Sequence, residues 1–267
     1  VMADSVYKSK NLTGEQLHFL KRIEEEEILY FQLTEIEKEL DESYTNLNEI
    51  LENLVEKGIL IRLERGKYCK ANFGDLNVLA SFISNGGTIA YWSALHFHNL
   101  TDRFPNTTFV KTNYRKRNTT ILGSTIQFVY TKREKRIGAI QMGYGQNSYA
   151  ITNMEATLVD CFDQPRYAGD WADLLRAFYL ADVSSEKMIE YTKAYQNQSL
   201  IKRMGYLAEL FNKKKLMDFV DYAKTQTGKR YILLEPGGLD KGIFVKGWKI
   251  RLNIDEKAIR QIIESGY

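Results

Sequence analysis

Residues 43–70 read SYTNLNEILENLVEKGILIRLERGKYCK, and this stretch decides the fold that we predict for the N-terminal part of the chain. Its apolar residues first recur at the i, i+3, i+4, i+7 spacing of one helix face, which predicts a helix that opens near Tyr44 or Thr45 and ends at Gly58. Glycine suits the left-handed conformation found just past a helix end. The pattern then alternates around a tight turn at residues 65–66, which predicts a two-stranded hairpin.

Two shorter helices are predicted before this stretch. Thr13 and Gln16 have the spacing of a capping box, which predicts a first helix that runs to about residue 26. After an apolar bridge over residues 28–33, residues 34–37 repeat the capping-box pattern and open a short second helix. Three helices and a hairpin form a winged helix-turn-helix, which we assign to residues 1–73.

A winged helix can place its third helix in the major groove of DNA while the hairpin lies along the phosphates. The polar residues at the start of the third helix are therefore candidates for base contacts, since amides can pair with adenine edges: Ser43, Tyr44, Thr45, Asn46 and Asn48. The hairpin cations are candidates for phosphate contacts, which set position rather than sequence preference: Arg62, Arg65 and Lys67.

The charge of this region leaves another interpretation open. Residues 1–73 hold 10 Lys and Arg against 15 Asp and Glu, a net charge of −5, and the third helix carries Glu49, Glu52 and Glu56. These carboxylates would repel phosphates unless they lie away from the groove. A structural or protein-binding role for the winged helix is the alternative to DNA contact.

Residues 74–267 are predicted to form a larger α+β domain with a helical middle. We expect helices at 75–84 and 89–98, strands at 107–112, 119–122, 126–131 and 137–142, helices at 154–162, 171–181 and 186–195, two further helices around 200–211 and 216–223, strands at 231–234, 243–245 and 249–252, and a helix from residue 255.

Positive charge is concentrated in one part of this second domain. Residues 74–267 hold 27 Lys and Arg against 19 Asp and Glu, a net charge of +8, and residues 111–136 hold eight cations against one glutamate. A local excess of this size creates a substantial electrostatic field. We name four of these cations as candidates for a second phosphate-contacting surface: Lys111, Arg115, Lys116 and Arg117. A solvated charged face, or a docking face for an acidic protein, are the alternatives.

Other features indicate a protein without cofactor or metal. The two cysteines, Cys69 and Cys161, are far apart and are predicted to be buried thiols. His96 and His98 would point about 200° apart on a helix and could not share an ion. We expect capping and turn roles for Asp160, Asp163, Asp170 and Asp173, with a carboxylate metal cluster of a nucleic-acid-processing enzyme as the alternative.

Hydropathy predicts a cytoplasmic protein without a membrane partner. No stretch approaches the roughly 20 apolar residues that a membrane helix needs. Residues 1–10 lack the apolar core of a secretory signal.

Three sequence blocks resemble the antitoxins of the AbiEi type. The first is residues 58–68, GILIRLERGKY, which is similar to the junction between helix and wing in that family. The second is residues 91–101, YWSALHFHNLT, and the third is residues 155–162, EATLVDCF, followed by Pro165 and by Ala168-Gly169. The family has a second glycine where this chain has Asp170.

The resemblance implies a non-catalytic transcriptional autorepressor that binds inverted repeats in double-stranded DNA upstream of its own operon. It further implies an antitoxin whose C-terminal domain counters a co-expressed nucleotidyltransferase-like toxin. It leaves open whether the two proteins touch.

Overall fold

The structure is a computed structural model that describes residues 11–264 of the 267-residue chain. The prediction made on residues 1–10 lies outside this range. The described residues have a mixed α+β fold with three sheets. The described residues divide into two compact units: unit 1 comprises residues 11–79 and 144–147, and unit 2 comprises residues 80–143 and 148–264.

Unit 1 contains short helices and strands around its own apolar core. Its elements, in chain order, are α1 (Gly14–Glu25), β1 (Tyr30–Gln32), α2 (Ile36–Glu39), α3 (Leu47–Glu56), β2 (Leu60–Glu64) and β3 (Lys67–Lys70). The division between the units falls within α4 (Leu76–Ile83).

The first predicted helix is confirmed together with its cap. The hydroxyl of Thr13 accepts a hydrogen bond from the backbone N–H of Gln16, and the Gln16 side chain accepts one from the N–H of Thr13, each at 3.2 Å. The reciprocal bonds of Thr13 and Gln16 satisfy two N–H groups that a helix start leaves unpaired. The capping box predicted for α2 is wrong, because α2 follows Glu35, whose side chain makes no capping bond.

Within the apolar segment 28–33, residues 30–32 form a strand that the sequence did not predict. β1 pairs antiparallel with β3, with Tyr30 opposite Cys69, so the predicted hairpin becomes a three-stranded sheet in the order β1-β3-β2. The ring of Phe31 stacks on that of Tyr68, with 5.7 Å between their centroids. Burial of this aromatic pair fixes the register of β1.

Helix α3 starts later than predicted, at Leu47. It ends as expected: Gly58 has φ +72°, its N–H donates to the carbonyl of Val55, and the N–H of Ile59 donates to that of Leu54. This is the Schellman arrangement, which satisfies carbonyls that a helix end leaves unpaired. The buried face of α3 is made of Leu47, Ile50, Leu51 and Leu54.

Unit 2 contains two sheets and a layer of helices. Its elements, in chain order, are β4 (Thr88–Ile89), α5 (Tyr91–Phe97), β5 (Thr107–Thr112), β6 (Thr119–Ile121), β7 (Ser124–Tyr130), β8 (Ala139–Met142), β9 (Tyr149–Thr152), α6 (Met154–Asp163), α7 (Trp171–Leu180), α8 (Ser185–Tyr195), α9 (Gln198–Leu210), α10 (Met217–Thr225), β10 (Ile232–Leu233), β11 (Ile243–Val245), β12 (Ile250–Leu252) and α11 (Glu256–Glu264).

The larger sheet has six strands in the order β6-β7-β5-β4-β9-β8. β5 runs parallel to β7, β4 runs parallel to β9, and the other neighbours are antiparallel. Two of these strands were not predicted: β4 occupies the start of the helix expected at 89–98, and β9 lies in a segment assigned no element.

The smaller sheet has the order β10-β12-β11, and the helical middle of the unit is confirmed. Helices α6 to α10 contribute most of the apolar core, in which Phe162, Phe178, Met204 and Phe219 are fully buried. Within residues 11–264, no helix combines the length and the apolar character required to cross a bilayer.

Candidate nucleic-acid interface

The residues predicted to read bases lie mostly before α3, which corrects their assignment to the helix. Ser43, Thr45 and Asn46 are exposed in the preceding turn, and Asn46 directly precedes α3 without capping it. Asn48 lies in the first turn of the helix and is exposed.

Tyr44 is partly buried rather than presented to solvent. Its ring packs edge-on against Phe19 with centroids 5.4 Å apart, and its hydroxyl donates to Glu42 at 2.9 Å. Burial and this acidic neighbour raise the pKa of Tyr44. Its contacts give Tyr44 a structural role in unit 1.

The three hairpin cations occupy different environments. Arg62 on β2 and Arg65 in the turn are exposed, so both guanidinium groups are accessible to a phosphate. Lys67 is buried, with 6% of its surface exposed, and its ammonium lies 3.3 Å from a carboxylate oxygen of Glu64. The prediction that Lys67 contacts phosphate is therefore wrong.

The exposed face of α3 is acidic. Glu49, Glu52 and Glu56 are exposed on it, and Asn48 is the exposed amide at its N-terminal end. Because carboxylates and phosphates repel one another, the part of α3 that carries Glu52 and Glu56 is the least suited to approach DNA, and Glu49 lies in the first turn beside Asn48.

In unit 2, Lys111 is not on the surface, which corrects its assignment to a phosphate-contacting face. Its side chain is 2% exposed and its ammonium lies 2.9 Å from one carboxylate oxygen of Asp160, whose side chain is 1% exposed. The hydroxyl of Tyr195 also donates to Asp160, and the Lys111 ammonium donates to the carbonyl of Lys135 at 2.8 Å. A buried charge needs this full set of partners.

A second ion pair continues this buried cluster. The ammonium of Lys135 lies 2.8 Å from Asp163, whose other oxygen accepts a hydrogen bond from the amide of Asn197 at 2.9 Å. Burial and the nearby Asp160 raise the pKa of Tyr195, so its hydroxyl stays protonated. The capping and turn roles predicted for Asp160 and Asp163 are wrong, since both carboxylates hold lysines from other elements.

Asp170 and Asp173 do act at a helix start. Asp170 precedes α7 and accepts a hydrogen bond from the N–H of Asp173 at 2.8 Å, and both carboxylates contact Arg103.

The imidazole of His98 is hydrogen-bonded to the carbonyl of Thr152 at 2.7 Å. Among residues 11–264, no group of three or more His, Cys, Asp or Glu side chains is arranged to hold a metal ion.

The remaining cations of the basic segment lie around the β5–β6 connection. Arg115 and Arg117 are exposed. Lys116 is half-buried, since its ammonium donates to the carbonyl of Ile83 at 2.9 Å and lies 5.3 Å from the ring centroid of Phe128. Three further cations are exposed between β7 and β8: Lys132, Arg133 and Arg136. An accessible positive surface thus remains, although Lys111 and Lys135 do not belong to it because they are paired with Asp160 and Asp163.

Comparison with known proteins finds a solved structure with a similar fold. No family model matches the chain, and no curated protein matches it in sequence. Among solved structures, the chain is similar to the RV2827C protein from Mycobacterium tuberculosis, with a TM-score of 0.65, 14% identity, and coverage of 93% of this chain and 94% of that chain. This similarity extends over both units and concerns the fold alone.

Proposed function

We propose that the chain is a cytoplasmic, non-catalytic, DNA-binding transcriptional autorepressor and antitoxin of the AbiEi type. Unit 1 acts as its winged helix-turn-helix and binds inverted repeats in duplex DNA upstream of its own operon. Unit 2 supports the counteraction of a co-expressed nucleotidyltransferase-like toxin. The toxin half of the proposal rests on the three sequence blocks that resemble the family.

The observation that carries the DNA-binding half is the order of elements in residues 47–70. A helix with an exposed amide, Asn48, in its first turn is followed by a hairpin that exposes Arg62 and Arg65. In a winged helix-turn-helix, this order places the start of the helix at the base edges and the hairpin cations at the phosphates.

The acidic face of α3 restricts how the helix approaches DNA. A helix lying lengthwise in the groove would bring Glu49, Glu52 and Glu56 close to phosphates. An approach by its N-terminal end keeps Glu52 and Glu56 at a distance and uses Asn48 with the exposed turn residues Thr45 and Asn46. Recognition helices commonly contact bases through their N-terminal residues.

The exposed cations of unit 2 supply a second surface for phosphates in this proposal. Arg115 and Arg117, together with the three cations between β7 and β8, are accessible to solvent. Contacts of this kind add affinity without sequence preference, and they weaken as salt rises.

A mobility-shift assay of the full chain tests the proposal. The probe is the DNA upstream of the coding sequence, and the control is a shuffled duplex of equal length and composition. We expect a shift of the upstream DNA at a protein concentration that leaves the shuffled duplex free. If neither duplex shifts at low salt, the chain is not a DNA-binding repressor.

A second candidate function is an adaptor that binds only protein, and the exposed carboxylates of α3 favour it. Such an adaptor has no salt-sensitive affinity for duplex DNA, so the same assay at two salt concentrations separates the candidates. The metal-dependent enzyme has less support, because Asp160 and Asp163, the carboxylates that suggested it, are held by Lys111 and Lys135.

A further inference from the structure

A small cavity in unit 2 is lined by cationic side chains and aromatic rings. Its volume is about 340 Å³, near the lower end of the ~300–1,000 Å³ range of small-molecule sites. β7 contributes Phe128 and Tyr130, the β5–β6 connection contributes Arg115 and Lys116, and the α6–α7 connection contributes Arg166. The cavity is therefore built by three separate parts of the chain.

Each cation of this cavity lies against an aromatic ring. The guanidinium of Arg115 is 6.0 Å from the ring centroid of Tyr130, and that of Arg166 is 4.7 Å from that of Tyr167. The ring of Tyr167 is in turn fixed by Tyr91, at 5.2 Å between centroids. Cation–π contacts orient the guanidinium groups without using their N–H donors, which remain available to an anion.

Within residues 11–264, no carboxylate lines the cavity beside Arg115 and Arg166. Neither arginine forms an ion pair within the same residues. Arg166 makes one hydrogen bond, to the side-chain oxygen of Gln164 at 3.0 Å, which leaves the Gln164 amide N–H groups as further donors at the cavity wall. Two guanidinium forks and an amide are the groups that recognise a phosphate.

A larger cavity of about 610 Å³ adjoins this one and has a different character. Tyr130 and Gln164 line both cavities, so the two spaces share a boundary. The larger one contains the carboxylate of Glu134 and the exposed amides of Gln196 and Gln198. Two lysines line the same cavity, but Lys135 is paired with Asp163 and Glu134 offsets Lys132, so its net charge is smaller than that of the first cavity. Its amides suit the hydrogen-bonding edge of a base. The exposed side of Tyr130 offers a ring on which a base can stack.

We propose that these adjoining cavities bind a nucleotide, with its phosphate between Arg115 and Arg166 and its base beyond Tyr130. The shared chemistry is a nucleoside phosphate, which could be free or part of a single strand. This ligand differs from the operator duplex, so the inference stands independently of the proposed repressor function, although Arg115 takes part in both.

Titration calorimetry with the full chain tests the site at low salt. The probes are ATP, GTP, inorganic phosphate, an eight-nucleotide single strand and a duplex of unrelated sequence. We expect saturable binding of a nucleotide or of the single strand, weakened about tenfold or more by Arg115→Gln or Arg166→Gln, since each removes one charge-assisted fork. If ATP or GTP binds more tightly than the single strand, the ligand is a free nucleotide. If the single strand binds more tightly, the ligand is a nucleic acid.

Arg117→Gln is the matched control, because Arg117 is exposed in the same segment but does not line the cavity. Arg117→Gln should leave the affinity for ATP, GTP and inorganic phosphate unchanged, since the role proposed for Arg117 is toward duplex DNA. Tyr130→Ala should weaken nucleotide binding without weakening the binding of inorganic phosphate. Absence of binding by every probe would overturn the inference. So would an equal loss in the Arg117 variant, which would mean diffuse attraction. If no nucleotide binds but the upstream duplex still shifts in the mobility-shift assay, the nucleotide site is refuted and the proposed repressor function stands.

Discussion

The ammonium of Lys111 lies 2.9 Å from a carboxylate oxygen of Asp160, and both side chains are almost completely buried. Strand β5 and helix α6 are thereby joined by an ion pair inside unit 2. Burial raises the pKa of Asp160, and the adjacent ammonium of Lys111 opposes that rise. Each of the two buried charges therefore depends on the other for its neutralisation.

Removing one member should destabilise the protein strongly. For Lys111→Met we expect a loss of about 3–5 kcal/mol in the free energy of unfolding, because the Asp160 carboxylate is left buried without its counter-charge. Urea denaturation followed by circular dichroism measures this. The matched control is Lys215→Met, since Lys215 pairs with Asp182 at 2.7 Å with both side chains 73% exposed. It should change stability by less than about 1 kcal/mol. Equal losses in the two variants would refute the structural role of the buried pair.

Gly58→Ala should destabilise unit 1 by about 1–2 kcal/mol. The backbone of Gly58 has φ +72°, and this left-handed conformation costs a residue with a Cβ about 1–2 kcal/mol. Thermal unfolding of the full chain gives the measurement. Gly14→Ala is the control, because Gly14 lies within α1 and a Cβ there would meet no atom within 4 Å. The control should be neutral or stabilising. A neutral result for Gly58→Ala would mean that α3 does not end in this conformation.

Neither cysteine should react with a thiol reagent in the native protein at pH 8. Burial raises the pKa of Cys69 to about 11 and also raises that of Cys161. The reactive thiolate is therefore scarce at this pH, and it would increase only as the pH approaches 11. Titration with a chromogenic disulfide should detect no thiol per native chain and two after denaturation in guanidinium. Fast reaction of one thiol in the native state would place that cysteine at the surface.

Arg62 and Arg65 should contribute to the salt dependence of DNA binding. If each contacts one phosphate, the double variant Arg62→Gln/Arg65→Gln should reduce the log-log slope of affinity against salt by about 1.8, at ~0.9 per contact. Fluorescence anisotropy with the upstream duplex at several salt concentrations measures the slope. Lys21→Gln is a control on α1, since the Lys21 side chain is 74% exposed and lies outside the hairpin. The same change of slope in both variants would show that the hairpin has no special part.

Local signals predicted much of the fold. The capping box at Thr13 and Gln16 defined the start of α1, and a run of mostly β-branched and aromatic residues gave β5 the bounds observed, residues 107–112. The strands that were missed, β1, β4 and β9, are two to four residues long and depend on pairing with distant partners. A run that short carries too little periodicity to be recognised.

The candidate site was harder to predict than the fold. Lys111 looked like part of a cationic surface because the residue that neutralises it, Asp160, is 49 positions away in the sequence. Lys67 has a closer partner, Glu64, but its burial depends on the packing of unit 1. Residues 109–112 of β5 are all buried, so both faces of this strand are covered, and the period of two gave no sign of where the Lys111 side chain lies. The pairing of Arg115, Arg166 and Tyr130 around one cavity left no local sign, because it joins three distant segments.

The proposed repressor function requires the start of α3 and the turn before it to meet the bases of operator DNA. An iron–EDTA chelate attached to the thiol introduced by Asn48→Cys tests it most directly, since Cys69 and Cys161 are buried and the label goes to one position. In a labelled protein that still shifts the upstream DNA, we predict hydroxyl-radical cleavage confined to the two halves of an inverted repeat, and none in the shuffled duplex or with the unsubstituted protein treated alike. Bound DNA without cleavage near either half would contradict the account, because it would place α3 away from the bases.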